Sequence, residues 1–203
     1  MAIDHFIRYK AHVKRIDWNF NILFNDQPQV AELAHQYAPL LNHPGLHKPI
    51  PAEWLHATVL RVGFLEEFSQ DEMLAVAEKL ELQLANIKMP QLMLGQWWIW
   101  NGGPVLHITP DTELQELFDL LVDALIEVVG RQRLPEKLQF IPHVTLAYPK
   151  THHDELGLYK KLQSHLIDGV LMRAQSVSLI KQHIEDDYYA WEIVKDIPIS
   201  QET

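Results

Sequence analysis

A displacement of 87 residues superposes two strand-like segments of this chain, and no other feature restricts its fold so tightly. Leu55-His56-Ala57-Thr58-Val59-Leu60 maps onto Pro142-His143-Val144-Thr145-Leu146-Ala147. The same shift carries Phe20 onto His107 and Leu92 onto Leu179. Helix starts follow it less closely. Each half reads strand, helix, strand, helix, strand, and one last strand closes the chain. One duplication of this size is not a solenoid, whose units recur every roughly 20–50 residues. It predicts a single bilobal domain over residues 1–203, with repeat units over about residues 16–100 and 103–182. The expected fold class is α+β: two mostly antiparallel sheets facing a central cleft, helices outside, and a pseudo-two-fold axis between the lobes.

Local signals give the elements. Trp18, Phe20, Ile22 and Phe24 alternate with Asp17, Asn19 and Asn21, which reads as a strand over residues 16–24. Asn19 and Asn21 then face away from the apolar set, toward a cleft or toward water. Pro28 opens a helix with Val30, Leu33, Ala34, Tyr37 and Leu41 at helical spacing. Residues 54–62 form a second strand. Ser69 and Glu72 make a capping box for a helix to about Ala85. Residues 91–100 and 104–109 form a hairpin around Asn101-Gly102-Gly103. A long helix starts near Asp111, with Leu114, Leu117, Leu121, Leu125 and Val128 on one face, and stops at Gly130. Residues 140–148 form a strand. Thr151 to Asp154 resembles a second N-terminal box, for a helix to about Ile167. A final hairpin pairs residues 173–182 with 188–194 across His183 to Asp187, and the tail from Pro198 reads as frayed.

The two superposed strands carry the chemistry. Residues two apart in a strand point to one face. His56 and Thr58 therefore share a face, as do His143 and Thr145, while Ala57, Val59, Val144 and Leu146 face the core. A two-fold axis would set two imidazoles and two hydroxyls around one pocket. Such a set suits phosphoester cleavage or its reversal. One neutral imidazole takes a proton from water, and the other, as imidazolium, gives one to the leaving oxygen. The threonines donate hydrogen bonds to the phosphate oxygens. Histidine fits because its unperturbed pKa of about 6.5 makes both states accessible.

On these paired His-x-Thr motifs, and on the phrases Trp54-Leu55-His56-Ala57-Thr58 and Pro142-His143-Val144-Thr145-Leu146-Ala147-Tyr148, the chain resembles the 2H phosphoesterase superfamily. Its members include 2′-5′ RNA ligases and 2′,3′-cyclic nucleotide phosphodiesterases. The resemblance spans residues 16–194. It implies metal-independent cyclic phosphodiesterase chemistry with no cofactor, His56 and His143 as the catalytic pair, and Thr58 and Thr145 on the phosphate. The expected substrate is a small nucleotide or an RNA end. Ligation of 2′-5′ linkages at the same site, or non-catalytic binding of a nucleotide or RNA end, are the alternatives.

Several other residues are candidates for substrate contact: Arg61, Tyr148, Lys181, His183 and Trp98. Arg61 and Tyr148 each stand three residues past a motif threonine, which in a regular strand aims them the other way, though a β-bulge would reverse that. Trp98 and Trp100 share a face and Trp97 takes the other, so one of them could stack a base. His107-Ile108-Thr109 copies the motif, but the shift places His107 opposite Phe20 and reads it as structural, with a neighbouring strand still able to set it on the concave face. Zinc would need three or four ligands on a compact scaffold. Neither His152 with His153 nor His43 with His47 has a third partner nearby, so no metal is expected. The chain has no cysteine. Acidic residues number 27 against 17 basic ones, mostly after Val62, which argues against gripping a long nucleic acid by its phosphates. No apolar run is long enough for a membrane span, and the polar N-terminus lacks the core of a signal peptide. A cytoplasmic location is the default expectation, and the oligomeric state is not encoded legibly.

Overall fold

The structure is a computed structural model and describes residues 4–8, 15–85, 87–151 and 155–201. Elements run in the order α1 (His5–Arg8), β1 (Asp17–Leu23), α2 (Pro28–Tyr37), β2 (His56–Phe64), α3 (Gln70–Leu84), β3 (Lys88–Met89), β4 (Leu92–Trp100), β5 (Gly103–Thr109), α4 (Thr112–Val129), β6 (His143–Thr145), α5 (Glu155–Gln163), β7 (Val170–Met172), β8 (Ser176–Glu185), β9 (Tyr188–Pro198) and β10 (Ser200–Gln201). Two four-stranded antiparallel sheets carry the molecule, in the orders β2-β1-β8-β9 and β6-β5-β4-β7. A small parallel pair, β10 with β3, stands apart from both. The expected mixed fold with antiparallel sheets is present. No described helix is long and apolar enough to cross a membrane.

The helices form where the sequence gives them a start, a stop and an apolar stripe. Pro28 opens α2, its fixed φ suited to the first helical turn. The Ser69 hydroxyl accepts from the Glu72 amide while the Glu72 carboxylate accepts from the Ser69 amide, closing the capping box on α3. α4 buries Leu114, Leu117, Leu121 and Leu125 completely and ends at Gly130, whose φ of 83° lies in the region glycine favours. α3 and α4 pack on each other; α3 also meets β9, and α4 meets β2. Trp18, Phe20 and Ile22 fill the core side of β1, each almost fully buried. Asn101 and Gly102, with φ of 50° and 84°, make the two-residue turn between β4 and β5.

The sheets do not coincide with the two sequence repeats. The β2-β1 pair of the first repeat joins β8 of the second through β1, and the β6-β5 pair of the second joins β4 of the first through β5. Each sheet thus takes its third strand from the other repeat. The motif strands β2 and β6 are the edge strands of the two sheets, and they lie against each other at the junction.

Three local expectations are corrected. The strand expected to reach Tyr148 ends as a ladder at Thr145, because the following chain is held by the 46–50 loop: the Ile50 amide donates to the Leu146 carbonyl and the His47 amide to the Tyr148 carbonyl. The last hairpin turns at Asp186 and Asp187, since Glu185 pairs with Tyr188, so His183 lies within β8. The tail is tied down: Ile199 is buried, its amide donates to the Gln175 carbonyl, and β10 pairs with β3. The helix expected after Thr151 begins at Glu155; His152, His153 and Asp154 of the suggested box lie outside the described residues.

Candidate active site

The alternation read from the motif strands is present. Ala57, Val59, Val144 and Leu146 are buried in the core, which turns His56, Thr58, His143 and Thr145 to the opposite face. That face borders a cleft of about 750 Å³ lined by all four, an ordinary size for a small-molecule site. Arg61 and Tyr148 line it too, as do Asp17, Asn19, Gln182, Tyr189 and His5.

Both imidazoles are fixed in the same way. His56 Nδ1 lies 3.0 Å from the Trp54 carbonyl oxygen, and His143 Nδ1 lies 2.6 Å from that of Ile141. A carbonyl only accepts, so each Nδ1 carries the proton and each neutral ring keeps its lone pair on Nε2. The carbonyl comes from two residues upstream in each case. Burial drives His56 down to about 4, against a partial raising by the Trp54 carbonyl and a further lowering by His143. Burial likewise lowers His143, with the Ile141 carbonyl opposing and His107 adding to the effect. The Trp191 ring meets His56 edge-on, 5.0 Å between centroids, and the Trp54 ring in turn meets Trp191 at 4.9 Å.

One of two β-bulges in β2 brings Arg61 to the cleft. Thr58 pairs with Asn21, but Leu60 pairs with Phe20 and Gly63 with Trp18, so β2 carries extra residues at Val59 and Val62. The first of them restores Arg61 to the face of Thr58. There its guanidinium donates to the Asp17 carboxylate at 2.6 Å. Tyr148 is almost fully buried, and burial with Tyr189 beside it raises its phenol well above the ordinary value. His5 stacks on Tyr148 at 4.3 Å, and its Nε2 is 2.9 Å from the Tyr189 hydroxyl.

Lys181, His183 and Trp98 are not among the residues lining the cleft. Gln182 does line it, so alternation along β8 sends Lys181 and His183 to the other face. Lys181 Nζ lies over the Trp18 ring and His183 pairs with Glu185. Trp98 sits one step outside the cleft, stacked on Trp100, which borders it. Among the described residues no group of three or more histidine and carboxylate side chains could hold a metal ion.

His107 corrects the reading from the repeat. It pairs directly with His143 across β5 and β6, in the place that Leu23 takes beside His56. Thr58 faces Asn21, whereas Thr145 faces Val105, so β5 is slipped by three residues relative to the 87-residue shift. Of the other residues the sequence left unassigned, Asp17 and Asn19 were signalled by their alternation with Trp18 and Phe20. Nothing local marked His5, Gln182 or Tyr189, which reach the cleft only through tertiary packing.

A solved structure of TT0787 from Thermus thermophilus matches with a TM-score of 0.67 at 16% identity, over 92% of this chain and 100% of that one. Escherichia coli LigT complexed with 3′-AMP matches with a TM-score of 0.64 at 15% identity, over 93% of this chain and 100% of that one. LigT complexed with phosphate gives 0.59 at 15% identity, over 93% and 100%. No curated protein matches by sequence. At such identities the solved structures establish a shared fold. The 2′-5′ RNA ligase superfamily model matches residues 26–185, and with that span covering both histidine motifs the chain belongs to the 2′-5′ RNA ligase superfamily.

Proposed function

We propose that the chain is a metal-independent phosphodiesterase that opens 2′,3′-cyclic phosphates or cleaves related phosphodiesters of nucleotides and RNA ends. The observation that carries this reading is the doubled tautomer lock: each motif histidine spends Nδ1 on a backbone carbonyl two residues upstream and keeps Nε2 for chemistry. In hydrolysis, water attacks phosphorus as one Nε2 removes its proton. The P–O bond to the ribose oxygen breaks, and the second ring, protonated on Nε2, delivers a proton to that oxygen. Thr58 and Thr145 donate to the non-bridging oxygens as charge builds. Reversing the reaction exchanges the two rings' roles. Burial keeps both imidazoles neutral when the site is empty, and an anionic phosphate between them favours protonating one.

The ligand class has support from a relative. LigT of Escherichia coli has been solved complexed with 3′-AMP, NADP+, ATP and phosphate. The acidic balance of this chain fits the same scale of ligand. The test offers a panel of cyclic-phosphate nucleotides to the wild type, His56→Ala and His143→Ala in EDTA. Wild-type turnover in chelator, with each variant lower by roughly 10²–10⁴-fold, is the expected result. Activity that survives both substitutions, or that only chelator removes, overturns the mechanism. The name of the matching family favours a second reading, 2′-5′ joining of RNA ends at the same site. Offering a 2′,3′-cyclic end together with a 5′-hydroxyl end separates joining from hydrolysis. Retention of nucleotide without any turnover would instead mark a binding protein.

A further inference from the structure

Four of the large apolar side chains left exposed stand on the strands at the outer side of the second sheet: Trp98 and Trp100 on β4, Met93 on β4, and Leu171 on β7. Met93 and Leu171 pair directly across the two strands. Trp98 and Trp100 stack on each other at 5.7 Å with ring planes 18° apart, and His107 stacks on Trp98 at 5.6 Å and 25°. Three rings therefore form one column that starts beside His143 and ends at the cleft wall.

The register places it against the phosphate end of the site. Thr145 pairs with Val105 and Val105 with Trp98, so Trp98 stands two strand spacings, about 10 Å, from Thr145. In the next row Trp100 pairs with Gly103, whose position would bring a β-carbon to 2.8 Å from the Ala147 carbonyl oxygen. Glycine there lets the chain that follows the motif strand pack directly on β5 beside Trp100, and Gly103, Ala147 and Trp100 all border the cleft.

We propose that the Trp98–Trp100 column is a stacking platform for the nucleotide next to the reacting phosphodiester, so that this chain prefers an oligonucleotide end to a mononucleotide. The inference rests on the reading of the site given above. Stacking accepts any base and needs no cation at the ring, which suits an acidic chain. The occupant follows from continuity: the column meets the cleft at Trp100 and runs outward from it, and is not a separate groove.

The test measures anisotropy of a labelled trinucleotide 3′-phosphate and of a labelled mononucleotide 3′-phosphate, in parallel with turnover of the matching cyclic phosphates. Wild type should hold the trinucleotide roughly 5- to 150-fold more tightly, the range for stacking one base. Trp100→Ala and Trp98→Ala should erase that gap, and Trp100→Phe should restore part of it. A wild type that shows no gap, or variants that weaken both ligands equally, overturns the platform even if cyclic phosphates are turned over. A gap that depends on the tryptophans without any turnover upholds the platform and overturns the enzymatic reading. Sedimentation completes the test: a wild-type dimer that either alanine variant converts to monomer would mean a second copy covers the strip, which also overturns the proposal.

Discussion

Removing the Trp191 indole should let His56 take up a proton at a higher pH. The ring lies edge-on to the imidazole at 5.0 Å, and burial is the largest cause of a pKa near 4 in place of 6.5. The difference of about 2.5 units corresponds to about 3.4 kcal/mol against the charged ring. Trp191→Ala admits water from one side, so a midpoint between about 4 and 6.5 is expected, shifted up by at least a unit. The assay is an NMR titration of the His56 ring protons, which needs no substrate. Stability supplies a second readout. The folded state resists protonating His56, so the unfolded chain binds more protons between about pH 4 and 6.5, and stability falls as pH drops through that window. His56 alone should cost the wild type about 2 kcal/mol between pH 7 and pH 5, read from urea melts, and Trp191→Ala should lose less. A wild-type midpoint near 6.5, or a folded variant with an unchanged midpoint, would refute the claim that burial sets this pKa.

Three other outcomes are expected. The pH profile of kcat/KM on a cyclic phosphate should be a bell whose limbs both fall below pH 6.5, because both imidazoles are lowered and the singly protonated pair peaks between two depressed values; an optimum above pH 7 would contradict it. Thr58→Val and Thr145→Val should each reduce kcat on the order of 10²-fold with unchanged urea midpoints, since each removes one donor to the phosphate. Truncation after Pro198 should destabilise the fold by about 2 kcal/mol in urea melts, because it removes the buried Ile199 and the β10 pairing.

The motif pair was legible because strand alternation is local. His56 with Thr58, and His143 with Thr145, needed only a period of two and a repeat. The capping box at Ser69, the stop at Gly130 and the Asn101-Gly102 turn were equally local. Register was not. A three-residue slip of β5 put His107 beside His143, and no count of residues within either strand reveals a slip between strands. Arg61 reached the cleft through a bulge at Val59, which the sequence allowed without marking. His183 was read as part of the turn because the turn was set too early: three more residues of strand carry β8 past it to Glu185. His5 and Tyr189 come together from opposite ends of the chain, where only packing can join them.

The exchange of β4 and β8 between the sheets has a consequence for how the molecule comes apart. A protein with two lobes ordinarily has the option of losing one and keeping the other. Here unfolding either half of the chain strips a central strand from the sheet built mainly by the other half, so denaturation should proceed as one cooperative transition. Half of the chain expressed by itself would lack a strand and expose a raw sheet edge, and its nearest complement would be a second copy of the same half. A swapped homodimer of one repeat would hold one His-x-Thr from each subunit at its junction. Within the single chain the two junction histidines already differ in their surroundings, His56 pairing with Leu23 and His143 with His107.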